Sequence, residues 1–111
     1  MKKYCLALDL KDDPELIAEY EHWHKTGNGW PEIHQSITSS GITNMQIYRT
    51  GNRLVMIMET NDDFSFERQA ELIALNTKVQ AWEKLMWGYQ QPLPWAKEGE
   101  KWLLMDQIFQ L

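Results

Sequence analysis

The sequence predicts an α+β fold in which one antiparallel sheet of four strands carries helices on a single face. The chain has 111 residues, the size of one domain with one hydrophobic core. Its apolar runs follow the order β-α-(short α)-β-β-α-β, which is that of a ferredoxin-like sandwich. Its strands are also apolar on both faces. We therefore expect a single domain over residues 1–111.

The N-terminal half of the chain contains one strand and two helices by its local signals. Tyr4–Leu10 is a short apolar run that predicts a strand. Pro14 follows two aspartates, which predicts a capped helix start. That helix should end near Lys25, before a Thr-Gly-Asn-Gly turn. Pro31 then begins a second short helix, which ends at Gly41.

The C-terminal half supplies the remaining strands and a long helical stretch. A Gly-Asn pair between two apolar runs predicts a hairpin. The predicted boundaries are strands at Ile42–Thr50 and Leu54–Thr60, a helical stretch at Glu67–Tyr89 with a break near Asn76, an extended loop at Gln90–Glu100 and a last strand at Trp102–Leu111.

Apolar residues on both faces of the strands predict a second subunit. An antiparallel sheet with one face in water should alternate between apolar and polar residues. Leu54–Met58 and the last strand do not alternate in this way. Because the helices cover only one face, we expect a homodimer to cover the other.

Composition excludes several classes of partner. The net charge is −5, and no basic cluster is present, so nucleic acid and anionic membranes are poor partners. The single Cys5 cannot form a disulfide within the chain, which fits a reducing compartment. No apolar run is long enough for a membrane span. These features predict a cytoplasmic protein.

The two histidines at the end of the first helix do not predict a metal site. His22 and His24 are two positions apart, so on a helix they point about 200° apart and cannot share one ion. The sequence also has no cysteine cluster, phosphate loop, dinucleotide fingerprint or nucleophile elbow. We therefore expect neither metal nor cofactor.

Tyr20 and His24 form the best candidate for chemistry. They are four residues apart, so they lie on one face of the helix, a turn from each other. Histidine suits acid and base catalysis near neutral pH, although a histidine on a buried face is also a common core residue. Glu59 ends an apolar strand in phase with Val55 and Ile57, where a carboxylate is costly unless it is paired, functional or already in solvent.

These residues carry a resemblance to the L-rhamnose mutarotase family. The motifs that resemble it are Glu19-Tyr20-Glu21-His22-Trp23-His24, Trp30-Pro31-Glu32, Gly41-Ile42-Thr43-Asn44 with Ile47-Tyr48, Leu54–Glu59, Trp82 with Lys84, and Ile108-Phe109. The resemblance implies a dimeric α/β barrel that equilibrates the α and β anomers of L-rhamnose without metal or cofactor. By position it implies that His24 is the acid and base, that Tyr20 binds the sugar, and that Trp82 lines the sugar pocket. Trp30 and Trp95 would add apolar ring faces, and Glu59 would hold a hydroxyl or orient His24.

Four departures from the family pattern affect the expected substrate. Met45 replaces a tyrosine, and Glu83 replaces the second tryptophan of a Trp-Trp pair. The link before Trp30 is two residues longer, and the loop Pro92–Lys97 is unusual. We expect these changes to lie in or near the pocket, with Met45 and Glu83 among its sugar-binding residues. The sequence therefore predicts a 6-deoxy-L-hexose as substrate, with L-rhamnose slightly ahead of L-fucose.

Two other functions remain open at this point. A cofactor-independent oxygenase is one, because that activity also occurs on dimeric α/β barrels and fold does not determine function. A non-catalytic sugar-binding dimer is the other.

Overall fold

The computed structural model describes residues 1–111 as five strands and four helices. The strands are β1 (Lys2–Leu10), β2 (Ile42–Thr50), β3 (Arg53–Thr60), β4 (Gln90–Gln91) and β5 (Leu103–Leu104). The helices are α1 (Pro14–His24), α2 (Pro31–Ser39), α3 (Phe66–Ala74) and α4 (Thr77–Trp87). No helix is both long and apolar enough to cross a membrane.

The sheet has the strand order β2-β3-β1-β4, and every pairing is antiparallel. β5 pairs with β1 on the same edge as β4, so a broken strand forms that edge of the sheet. Helices α1 to α4 occur between the strands in the predicted order. This topology confirms the predicted ferredoxin-like α+β fold.

Side-chain caps fix the starts of the two helices that matter most for the site. Asp13 accepts hydrogen bonds from the backbone N–H groups of Glu15 and Leu16, and Pro14 opens α1 with its φ already helical. Asn76 does the same for α4, which separates it from α3. The predicted break in the helical stretch near Asn76 is therefore confirmed.

The C-terminal quarter differs from the prediction. Gln90 and Gln91 form a short strand inside the segment predicted as a loop. The predicted strand Trp102–Leu111 is wrong over most of its length, because the strand covers only Leu103 and Leu104 and the last backbone hydrogen bond to β1 comes from Met105. The chain then leaves the sheet, and Ile108 is 96% exposed. Within one chain, these last apolar residues have no surface to pack against.

The two faces of the sheet differ in what covers them. Leu6, Leu8 and Leu10 alternate along β1 towards the helices and are buried there. Cys5, Val55 and Ile57 point to the opposite face and are only half-buried. The helices thus build the core and the cavity described below on one face of the sheet.

Candidate active site

A partly open cavity of about 700 Å³ lies between the helices and the covered face of the sheet. Its volume falls in the usual range for small-molecule sites. All four helices and three of the strands contribute residues to its wall. The position of the cavity therefore depends on the whole fold and not on one local element. Its lining includes Tyr20, Trp23, His24, Trp30, His34, Asn44, Met45, Gln69, Trp82, Glu83, Gln90, Lys101 and Trp102.

His24 is held in one tautomer at the end of α1. Its Nδ1 lies 2.7 Å from the backbone carbonyl oxygen of Tyr20, one turn earlier in the helix. A carbonyl oxygen can only accept a hydrogen bond, so Nδ1 carries the proton and donates it. Nε2 of the neutral ring is therefore the nitrogen that can accept a proton.

The surroundings of His24 favour the neutral ring. Although the side chain keeps an exposed edge, the packed residues around it desolvate the imidazole and lower its pKa from the ordinary 6.5. The hydrogen bond to the Tyr20 carbonyl raises the pKa and opposes part of this effect. At neutral pH the ring is thus mainly uncharged and can act as a base.

Tyr20 lies beneath His24 in the cavity wall. Its ring is 3% exposed, and its centroid is 4.2 Å from that of the His24 ring. Burial raises the pKa of the Tyr20 phenol to about 12, although a hydrogen bond from Gln90 lowers it in part. Tyr20 therefore keeps its proton throughout the physiological pH range and can donate a hydrogen bond.

Aromatic rings form one wall of the cavity around Trp82. The Trp82 ring contacts Trp30 and Trp23 edge-on, with centroid distances of 5.2 Å and 5.8 Å. It also lies 6.1 Å from the His24 ring. Trp23 donates its indole N–H to the Tyr89 hydroxyl at 3.2 Å, which fixes that ring. This wall offers apolar surface beside the His24 imidazole and the Tyr20 phenol.

Six of the predicted site residues line this one cavity: Tyr20, His24, Trp30, Met45, Trp82 and Glu83. They come from α1, from α4, from the start of α2 and from β2. The two positions that depart from the family pattern, Met45 and Glu83, thus lie on the wall with the Tyr20–His24 pair.

Glu59 and Trp95 lie elsewhere, contrary to expectation. Glu59 shares the face of Val55 and Ile57, which is opposite to the face on which Met56 lines the cavity. It cannot reach His24 through the sheet. Trp95 is 64% exposed and stacks with the guanidinium of Arg53, 5.1 Å from the ring centroid, so the loop Pro92–Lys97 does not border the cavity.

Sequence reasoning missed several polar residues of the wall, among them His34, Gln90 and Lys101. His34 lies on α2, and its position in the sequence does not indicate that its side chain lines a cavity. Gln90 belongs to a strand of two residues, too short for any periodic signal. Lys101 follows a loop, and its ammonium group lies 4.9 Å from the Trp87 ring centroid. Nowhere do three His, Cys, Asp or Glu side chains come together as a metal site.

Comparison with known proteins gives a consistent result. A family model described as L-rhamnose mutarotase matches residues 3–111. An L-fucose mutarotase from Xanthomonas campestris pv. campestris is 43% identical over 111 residues, which is 100% of this chain and 89% of that protein.

Two solved structures share the fold over 100% of this chain and 99% of their own. One is an L-rhamnose mutarotase from Formosa agariphila, with a TM-score of 0.71 and 18% identity. The other is tetracenomycin F2 cyclase from Streptomyces glaucescens, a type-II polyketide cyclase, with a TM-score of 0.59 and 16% identity. At these identities the likeness concerns the fold alone.

Proposed function

Because the chain belongs to the L-rhamnose mutarotase family, we propose that it interconverts the α and β anomers of a 6-deoxy-L-hexose. The full-length match to that family and to an L-fucose mutarotase makes it an isomerase rather than an oxygenase. The main support for the proposal is the position of the His24 imidazole. Its Nδ1 is hydrogen-bonded to the Tyr20 carbonyl, so its Nε2 can exchange protons beside the Tyr20 phenol.

The reaction needs only proton transfers. One proton leaves the anomeric hydroxyl and one arrives at the ring oxygen, so the C1–O5 bond breaks and C1 becomes an aldehyde. Rotation about C1–C2 exposes the other face of the aldehyde. O5 then attacks C1 again, and the two proton transfers run in reverse. The sugar is neither oxidised nor reduced.

His24 and Tyr20 suit the two proton roles. The lowered pKa of His24 supplies a neutral base at physiological pH, and the protonated ring can return its proton as an acid. Tyr20, with its pKa raised to about 12, supplies a hydrogen bond that orients a sugar oxygen or relays a proton. The rings of Trp30 and Trp82 provide apolar surface for sugar C–H groups and the C6 methyl group.

We place L-fucose ahead of L-rhamnose as the substrate. The sequence ranked them in the other order, but the relative at 43% identity is an L-fucose mutarotase. The two sugars differ in the configuration of hydroxyl groups, and a site built around one hydroxyl discriminates strongly against its loss. We propose that Glu83 and Met45 on the cavity wall contribute to this choice.

A panel of sugars tests the activity and the substrate together. Magnetisation-exchange NMR between the α and β anomer signals should show faster exchange for L-fucose than for L-rhamnose, with little acceleration for D-glucose. Spontaneous exchange in the same buffer is subtracted from each rate. Equal acceleration of all three sugars would contradict the proposed specificity, and no acceleration of any would contradict the function.

We also propose that the protein is a homodimer. Two apolar surfaces support this: the half-buried sheet face that carries Cys5, Val55 and Ile57, and the exposed C-terminal residues that include Ile108 and Phe109. Exposed apolar surfaces of this kind mark subunit contacts. A second copy on the open sheet face would complete two layers around the sheet, as helices do on its other face.

A further inference from the structure

Gln90 is a buried polar residue that is hydrogen-bonded to Tyr20 of the Tyr20–His24 pair. It lies in β4, where its backbone pairs with Leu10 of β1, and it is 7% exposed. Its side-chain Nε2 donates to the Tyr20 hydroxyl at 3.3 Å, and it lines the cavity. The resemblance to the mutarotases assigns it no role.

This contact decides what the Tyr20 hydroxyl can offer. A phenol oxygen carries one proton and also accepts hydrogen bonds. Because the Gln90 amide donates to the oxygen, the phenol keeps its own proton for another partner. Gln90 is the only group of the chain that is hydrogen-bonded to this hydroxyl. The proton of Tyr20 is thus left for an acceptor in the cavity.

We propose that Gln90 is a positioning residue that sets Tyr20 as a hydrogen-bond donor to the sugar. The proposal rests on the mutarotase function proposed above and extends it to a residue outside the family motifs. Gln90 acts here through Tyr20 and not on the sugar itself. If its amide oxygen instead faced Tyr20, the phenol would donate its hydrogen bond to Gln90 and could not donate it to the substrate.

A double-mutant cycle tests whether Gln90 acts through Tyr20. Gln90→Met keeps the length of the side chain and removes the donor. In the wild-type background we expect the catalysed exchange rate to fall about three- to tenfold, the usual effect of one neutral hydrogen bond. In the Tyr20→Phe background the same substitution should change the rate by less than about twofold, because the hydroxyl is already absent. Equal losses in both backgrounds would overturn the proposal.

A change of polarity gives a second readout that a structural role would not produce. Gln90→Glu introduces a carboxyl group that, once ionised, can only accept a hydrogen bond from the phenol. We expect the activity of this variant to fall as the pH rises through the pKa of that carboxyl, with no such fall in the wild type. A variant with the wild-type pH profile would contradict the donor role of the amide.

Gln91→Met is the matched control. Gln91 is the next residue on β4, is half-buried, and faces away from the cavity beside Asp9. The substitution Gln91→Met should leave the exchange rate unchanged, and thermal unfolding should show comparable stability for both methionine variants. Loss of rate in the control equal to that in Gln90→Met would mean a structural effect of β4, against the proposal.

The same cycle can be run on binding, which separates this inference from the activity itself. Tryptophan fluorescence, with Trp82 in the cavity wall, reports the affinity for L-fucose without catalysis. A wild type that binds the sugar but accelerates no exchange would contradict the proposed function alone, and the coupling between Gln90 and Tyr20 would still be measured. A wild type that does not bind the sugar would overturn both.

Discussion

The two faces of the sheet carry similar apolar residues but differ in what covers them. On one face, Leu6, Leu8 and Leu10 are closed over by helices, and the space left between helices and sheet is the cavity. On the other, Cys5, Val55 and Ile57 have no helix above them. Apolar content alone therefore does not distinguish the face with the cavity from the face that we propose to contact a second subunit. The polar groups distinguish the two faces, because Tyr20, His24 and Gln90 converge only on the covered face.

The largest expected effect is the loss of catalysis when His24 on the covered face is replaced. His24→Ala removes the proposed acid and base, so the catalysed anomer exchange should fall by about 10²- to 10⁴-fold. His22→Ala is the matched control, because His22 is exposed two residues earlier and does not line the cavity. Exchange NMR measures both. Equal losses would mean that the proposed role of His24 is wrong.

The second prediction concerns the open face of the sheet and the subunit contact proposed there. Ile57→Asp places a charge in the proposed subunit contact, where burial without a partner is costly, so the dimer should weaken at least about tenfold. Sedimentation equilibrium should then show the 13.2 kDa monomer for this variant and the dimer for the wild type. Because the cavity lies on the helical side of the sheet, away from Ile57, we expect the monomer to keep most of its activity.

Leu75→Asp is the control for that experiment. Leu75 is an equally apolar side chain, 85% exposed at the end of α3 in the helical layer. It should leave the dimer intact. A wild type that is monomeric at micromolar concentration would contradict the homodimer, and a dimer unaffected by Ile57→Asp would show that the contact lies elsewhere.

The parts of the site that the sequence predicted are those set by local geometry. The Asp13 cap and Pro14 fix where α1 begins, and four-residue spacing then brings Tyr20 and His24 together whatever the rest of the chain does. The family motifs added Trp30 and Trp82, whose rings meet edge to face in the cavity wall.

The parts that failed depend on contacts distant in sequence. Alternation correctly grouped Glu59 with Val55 and Ile57, but it does not tell which face the helices cover. Gln90 reaches Tyr20 only because its short strand pairs with Leu10, 80 residues earlier. The last residues of the chain are apolar enough for a strand, yet hydrogen bonding to the sheet ends at Met105 because composition does not specify a partner strand.

The smallest expected effect is a shift in pH dependence that reports the environment of the covered face. The pKa of His24 is lowered from 6.5 by desolvation, so the neutral base persists to lower pH than for a free imidazole. Catalysed exchange should therefore fall on the acid side with a midpoint below pH 6.5. No alkaline fall should follow below about pH 10, since Tyr20 keeps its proton up to a pKa of about 12. Rates corrected for spontaneous exchange in each buffer measure both limbs. An acid midpoint above 6.5 would mean that the ring gains a charged partner when the sugar binds, and an alkaline fall near pH 8 would contradict the donor role of Tyr20.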